Sequence, residues 1–322
     1  MSTLKAWVHT LRHEARDILS VELHAMPGES LPPFEAGAHI DLHLPGGLVR
    51  SYSLANDSRE RHRYLLGVLK DKASRGGSRA VHEQLRVGTV LTISAPRNHF
   101  PLHEEAGHSV LIAGGIGITP ILSMARRLQA LGRSFEVIDL ARSRASAAFT
   151  EDLAALACPV HWHFDDEAGG PPDLRALLTA RTPATGTVSD THFYACGPAV
   201  MLDAFEKICA ELGYANAHIE RFAAVEVQAA DDARQRFTVE LRQSGKTFEV
   251  TPDTTLHQQL IALNANVPFS CEEGICGACE TRVIEGTPDH RDMVLSAAEQ
   301  ASNQVMMVCV SGCKSERLVL DL

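Results

Sequence analysis

The sequence predicts a multidomain protein: a small antiparallel β-barrel over residues 1–103, a doubly wound parallel α/β domain over 104–230 and a compact α+β domain over 231–322. Three observations predict it. Short apolar-rich runs separated by Pro and Gly turns fill the first third, strand and helix patterns alternate through the middle, and Cys271, Cys276, Cys279 and Cys309 gather near the C-terminus. A length of 322 residues allows two or three domains, and 45% hydrophobic with 22% charged residues is an ordinary globular composition. The net charge of −10, with no basic stripe, argues against a nucleic-acid partner. Residues 1–20 carry Arg12, Glu14, Arg16 and Asp17 and no apolar core of a signal peptide, and longer apolar runs such as Val110 to Leu122 are broken by Gly or Pro. The expectation is a cytoplasmic monomer with no membrane span.

The barrel strands are expected at Leu4–Leu11, Ile18–Met26, His39–Leu44, Val49–Leu54, Tyr64–Lys70 and Val90–Ser94, with turns such as Pro45-Gly46-Gly47 between them. Two stretches here carry chemistry. Arg50-Ser51-Tyr52-Ser53-Leu54 offers a guanidinium fork suited to phosphate, an aromatic face for a flat heterocycle and hydroxyls for ring nitrogens. Strand alternation puts Arg50, Tyr52 and Leu54 on one face and Ser51 and Ser53 on the other. Gly76-Gly77-Ser78 leads into a short helical pattern from Arg79 to Leu85, and amides at such a helix start bind phosphate. Either stretch alone is also compatible with an exposed strand or a simple turn and cap.

In the middle third, strands are expected at Ser109–Ala113, Phe135–Leu140, Val160–Phe164 and His192–Ala195, and helices at Pro120–Leu131, Phe149–Leu156, Leu174–Leu178 and Ala199–Leu212. Such a sheet binds ligands at the C-terminal strand ends. Gly114-Gly115-Ile116-Gly117-Ile118-Thr119-Pro120 lies at one of them and departs from the dinucleotide fingerprint, since Pro120 stands at its third glycine position. Asp139 lies where that fingerprint would look for a ribose-binding acid. Tyr194-Ala195-Cys196-Gly197-Pro198 ends a later strand, and Glu220-Arg221-Phe222 closes the domain ahead of an irregular linker from Ala223 to Ala233.

The last third reads as strands Phe237–Leu241 and Lys246–Val250, helix Leu256–Leu263 and strand Thr281–Ile284. Val305–Val310 is an apolar run expected to form a buried strand that holds Cys309. The cysteine spacing is C-x4-C-x2-C followed by a fourth cysteine after 29 intervening residues, the plant-type ligand pattern of a 2Fe-2S cluster. Structural zinc usually brings two C-x2-C pairs, whereas only Cys276 and Cys279 are so spaced, so zinc stands as the alternative. Cys313 is read as non-ligating, and Cys158 and Cys209 as packing thiols. His9 with His13, and His39 with His43, are four apart on expected strands, a span of roughly 13 Å that one metal cannot bridge. No second metal site is expected.

The five motifs, Arg50 to Ser53, Gly76 to Ser78, Gly114 to Pro120, Cys196 to Pro198 and the cysteine pattern, occur in the order found in the phthalate dioxygenase reductase family, which includes the vanillate demethylase reductases. The chain resembles that family over essentially its whole length. The resemblance implies an FMN-binding first domain, with Arg50 and Ser78 at the flavin phosphate, Tyr52 and Ser51 along the ring system, Ser53 near N5, Gly76 and Gly77 closing the loop and Lys70 at the flavin edge. It implies an NAD-binding second domain. There Gly114, Gly115, Gly117 and Thr119 would meet the pyrophosphate, and Arg142 and Ser143 the adenosine ribose. Cys196, Gly197 and Pro198 would lie beside the nicotinamide, and Phe222 would cover the flavin until nicotinamide displaces it. It implies a ferredoxin-like (β-grasp) third domain with Cys271, Cys276, Cys279 and Cys309 on the iron. The implied donor is NADH, with NADPH open because Arg142 and Arg144 could accept a 2′-phosphate.

The implied activity passes electrons from NADH through FMN and 2Fe-2S to a separate Rieske-type oxygenase, with Ser53, Cys196 and Phe222 at the hydride-transfer site. Glu272 and Glu273 are candidate docking residues for that partner. The alternatives are a stand-alone reductase of quinones, ferric complexes or haem proteins, and a non-enzymatic cluster carrier.

Overall fold

The computed structural model describes residues 3–72, 74–181, 190–223 and 236–322, so residues 224–233 of the expected linker lie outside the described residues. The chain divides into two compact units, Met1–Phe222 and Ala223–Leu322.

The first unit begins with β1 (Thr3–Ala15), β2 (Ile18–Ala25), β3 (His39–His43), β4 (Val49–Ser53), β5 (Arg63–Leu69), α1 (Gly77–Gln84) and β6 (Val90–Ser94). The strands are ordered β4-β3-β6-β1-β2-β5, all antiparallel. A bridge from Leu54 to Leu66 joins the two outer strands, so the sheet closes into a barrel. Its interior holds Val8, Val21, Leu23, Ile40, Leu42, Leu54, Tyr64 and Leu66, each with no exposed surface. Burying side chains of this size contributes roughly 1.5–3 kcal/mol each.

The same unit continues with β7 (His108–Gly114), α2 (Ile118–Leu131), β8 (Phe135–Ala141), α3 (Thr150–Ala154), β9 (Val160–Phe164), α4 (Asp165–Ala168), α5 (Leu174–Thr179), β10 (Thr191–Cys196), α6 (Ala199–Leu212) and β11 (Ala217–Glu220). These strands form a parallel sheet in the order β11-β10-β7-β8-β9. The order reverses between β7 and β10, which makes the carboxyl ends of these two strands the switch point where α/β sheets take ligands. Period-two alternation along β10 sends Tyr194 and Cys196 to the core shared with α2 and the barrel, and Phe193 and Ala195 to the core under α5 and α6.

The second unit comprises β12 (Phe237–Leu241), β13 (Lys246–Val250), α7 (Leu256–Ala262), β14 (Glu280–Glu285), β15 (Pro288–Asp289), α8 (Ala297–Ser302), β16 (Val305–Met307), β17 (Gly312–Cys313) and β18 (Arg317–Leu320). A mixed five-stranded sheet, β13-β12-β18-β14-β16, pairs β12 and β18 in parallel and grips α7 in its curve. Capping boxes start α7 (Thr255 with Gln258) and α8 (Ser296 with Glu299). The expected strand through Cys309 is corrected here. Strand β16 ends at Met307, whose carbonyl accepts from both Val310 N (3.3 Å) and Ser311 N (3.1 Å), so the chain turns and Cys309 lies on that turn.

Candidate functional site

The flavin-type residues meet at the head of α1. Gly76, at φ 101°, is its N-cap and supplies no side-chain acceptor, so among the described residues no side chain caps the first amides of the helix, a start that suits an anion. The Arg50 side chain lies across this point. A Cβ on Gly77 would stand 2.4 Å from Arg50 Cγ, which only glycine avoids, and Arg50 Nη1 donates to Val49 O at 2.7 Å. Ser78 Oγ accepts from Asp71 N at 3.2 Å. Tyr52 is half-buried against the barrel core, and burial pushes its phenol up to about 12. Two predicted residues have partners of their own. Ser51 Oγ donates to Asp41 Oδ1 at 2.7 Å, and the Lys70 ammonium pairs with Glu83 at 2.9 Å.

A second convergence joins the barrel to the switch point. Ser53 Oγ donates to Glu220 Oε2 at 3.3 Å, and Glu220 is the ladder partner of Cys196. Burial pushes the Glu220 carboxyl up to about 8, against the opposing pull of the Ser53 hydrogen bond. Burial, with Glu220 alongside, raises the Cys196 thiol well above its ordinary range. Both shifts favour the protonated thiol and the protonated carboxyl. In the sequence Glu220 reads only as part of the segment that closes the domain. Its signal was its place at the carboxyl end of the last strand, opposite Cys196.

The glycines of the β7–α2 loop bring two backbones together here. A Cβ on Gly117 would stand 2.1 Å from Cys196 O, and one on Gly197 3.0 Å from Gly114 Cα. Above them Gly115, at φ 57°, faces open space, room for a pyrophosphate beside the start of α2. Pro198 is the N-cap of α6. Thr119 is 1% exposed, and its hydroxyl donates to Ile116 O at 3.2 Å. Phe222, the last residue of this unit, is 38% exposed.

Beyond β8, Arg142 is exposed and Ser143 caps a short helical turn. Arg144 is held over the Phe164 ring at 4.5 Å and makes a two-point pair with Glu167, at 2.6 and 3.1 Å. Asp139 is enclosed in the sheet at 2% exposure with Oδ2 unpartnered among the described residues, and burial pushes it up to about 7.

In the second unit the four predicted cysteines are all buried free thiols. They form two hydrogen-bonded pairs, Cys271 with Cys276 and Cys279 with Cys309. The neighbouring Cys276 and Cys309 sulfurs, together with burial, raise the Cys271 and Cys279 thiols above their ordinary range. Glu273 N points at Cys271 Sγ at 3.4 Å, a donor suited to a cluster sulfur. Glu272, Gly274 and Gly277 take φ of 59°, 71° and 68°, which curls the loop around the sulfurs. A Cβ on Gly274 would stand 2.6 Å from Val310 Cγ2. Four converging thiols inside inward-facing amides fit a 2Fe-2S cluster. Cys313 turns elsewhere, its Sγ bonded to Ser315 O at 3.2 Å and Thr287 O at 3.4 Å.

Residues 239–314 match the family described as 2Fe-2S iron-sulfur cluster binding domain, and residues 111–207 the oxidoreductase NAD-binding domain. The chain is 45% identical to phenoxybenzoate dioxygenase subunit beta of Ectopseudomonas oleovorans, over 100% of this chain and 98% of that one. It is 45% identical to tetrachlorobenzoquinone reductase of Sphingobium chlorophenolicum (100% and 99%), and 47% to a vanillate O-demethylase oxidoreductase of a Pseudomonas species (98% and 98%). Among solved structures, phthalate dioxygenase reductase aligns with TM-score 0.72 at 39% identity, over 100% of this chain and 98% of that one. A type IV self-sufficient cytochrome P450 monooxygenase aligns with TM-score 0.90 at 39% identity over 99% of this chain, which spans only 41% of the P450 chain.

Proposed function

Because this chain belongs to the family of the phthalate dioxygenase reductases and vanillate O-demethylase oxidoreductases, we propose that it is the reductase component of a two-component Rieske-type aromatic-ring oxygenase or O-demethylase. It is an oxidoreductase with NAD-binding and 2Fe-2S domains. Electrons pass from NADH through FMN and the cluster to the oxygenase. The observation that carries this reading is Ser53 of β4 bonded to Glu220 beside Cys196, which sets the end of the flavin strand against the nucleotide loops.

FMN bound at Arg50, Tyr52, Gly76, Gly77 and Ser78 would accept two electrons as hydride and release them singly to a one-electron carrier. The chain itself supplies orientation. Arg50 and the head of α1 hold the phosphate, Tyr52 lines the ring, and Ser53 fixes the edge that meets nicotinamide. Gly114, Gly115 and Gly117 admit the pyrophosphate, while Gly197 and Pro198 shape the nicotinamide loop over the buried Cys196. Residues 1–103, 104–230 and 231–322 act as flavin, nucleotide and cluster domains. The protein works as a cytoplasmic monomer; among the described residues no helix is long and apolar enough to cross a membrane. The exposed Glu272, with Glu273 beside it, offers an acidic docking edge at the cluster loop.

A second reading is a quinone reductase that needs no protein partner, favoured by the 45% identity to tetrachlorobenzoquinone reductase over the whole chain. The test compares NADH turnover on substituted benzoquinones with turnover on a purified Rieske oxygenase, for the wild type and for Glu272→Lys/Glu273→Lys. Saturable transfer to the oxygenase that the double variant weakens supports the reductase-component reading. Quinone turnover alone, unaffected by the variant, supports the second.

A further inference from the structure

Three histidines meet on the sheet face that carries Cys196 and Glu220, toward the opposite end of the strands. His192 lies on β10 four residues before Cys196, and His218 on β11 two residues before Glu220. The ladder sets His218 opposite Tyr194, so His192, Tyr194 and His218 project from one face. His103, from the segment between β6 and β7, lies over them, its backbone N–H donating to Tyr194 Oη at 2.8 Å. The rings of His103 and His192 are 4.7 Å apart, those of His103 and His218 4.9 Å, and those of His192 and His218 5.1 Å. One ring nitrogen from each lies within 4.8 Å of the other two, and His192 Nδ1 faces His218 Nε2 at 2.9 Å.

We propose that His103, His192 and His218 bind one divalent transition-metal ion of the zinc class through three imidazole nitrogens, leaving a fourth position to water. Three neutral imidazoles with one open position are a recurrent zinc donor set, and imidazole also suits Ni²⁺ and Cu²⁺. Two of the ligands are fixed by adjacent, hydrogen-bonded strands. The third is exposed, on a segment anchored by Tyr194, so a small side-chain adjustment brings its nitrogen to the ion. The proton between His192 Nδ1 and His218 Nε2 moves to the outer nitrogen of the ring that carries it, which frees both facing lone pairs; no redox change is involved.

A second group, His9, Glu22 and His24, also brings its ligand atoms together. Its carboxylate is held by the Arg63 guanidinium at 2.7 Å, and it serves as the internal control. The ion at the first group would tie the segment entering β7 to the strand that carries Glu220.

The experiment titrates tag-free holoprotein with ZnCl2 by calorimetry while the visible spectrum is followed, so that loss of cluster iron would be seen. The expected result is one ion per chain, a raised Tm and an unchanged spectrum. His103→Ala, at an exposed site, should weaken binding by at least about tenfold, since losing only an outer partner of a ligating histidine costs about 10–100-fold. His218→Asn should do the same, and His9→Ala should leave binding unchanged. No binding up to millimolar zinc, binding equally tight in His103→Ala and His218→Asn, or binding lost in His9→Ala would each overturn the proposal.

Discussion

Ser53 Oγ donates to Glu220 Oε2 at 3.3 Å, linking the last residue of β4 to the last residue of β11 directly opposite Cys196. A barrel strand and a sheet edge thereby share a polar contact at the switch point. It adds to the contacts of α2 with the chain just after β4, where Arg126 Nη1 donates to Ala55 O and Ser123 Oγ to Asn56 O.

Removing either group should therefore slow hydride transfer more than it weakens nucleotide binding. Ser53→Ala and Glu220→Gln are each expected to lower the rate of flavin reduction by NADH on the order of tenfold to a hundredfold, the usual cost of about 1 Å of misplacement. Stopped-flow reduction over a range of NADH concentrations separates the limiting rate from the Kd.

Glu220 also predicts a pH dependence of stability. Its folded value of about 8 lies above the unfolded value of 4.5, so the folded chain holds the extra proton between them. Stability is complete below the unfolded value and is lost as pH rises toward the folded one. Glu220→Gln cannot ionise, so its Tm should pull ahead of the wild type from pH 5 to pH 9, by a few degrees. Parallel Tm curves would show that Glu220 is ionised throughout.

At the flavin end, Arg50 crosses Gly77 with no room for a Cβ. Gly77→Ala should push the guanidinium off the head of α1 and, like Arg50→Ala, yield protein with about tenfold weaker FMN binding. The cluster absorbance should be retained. Equilibrium dialysis of flavin against each variant measures this.

Arg144 is engaged by Glu167 at two points, so its charge is already balanced where a 2′-phosphate would need it. Wild-type protein should prefer NADH. Glu167→Gln should raise kcat/KM for NADPH several-fold and leave that for NADH nearly unchanged. Equal effects on both nucleotides would place Arg144 away from the ribose.

Five cysteines lie in the second unit, and the fold separates Cys313 from the other four. Cys313→Ser should keep the full cluster spectrum, because its Sγ is bonded to Ser315 O and Thr287 O. Cys309→Ser should lose or shift it. Iron analysis with absorbance and spin-resonance spectra distinguishes the two.

Most elements were legible because their signals are local. The runs at Val160–Phe164, Phe237–Leu241 and Lys246–Val250 match β9, β12 and β13, and Ala199–Leu212 matches α6, residue for residue. What escaped depends on contacts distant in sequence. Cys309 sits in an apolar run that reads as strand, yet Met307 O accepts two amides and ends it. The two-residue strands β15 and β17 are too short for any periodicity to mark them. Glu220 gains its raised carboxyl only from the walls that bury it, and its hydrogen bond to Ser53, 167 residues away, opposes that rise. The histidine triad leaves no mark in the sequence, because its members come from two strands and a connecting segment far apart along the chain.

The most direct measurement is an anaerobic titration of the holoprotein with NADH, followed through the visible spectrum. One flavin and one 2Fe-2S cluster store three electrons, so flavin and iron-sulfur bands should bleach completely at about one and a half NADH per chain. Complete bleaching at one equivalent with flavin bands alone, and zinc instead of iron by metal analysis, would contradict electron transfer through the four cysteines.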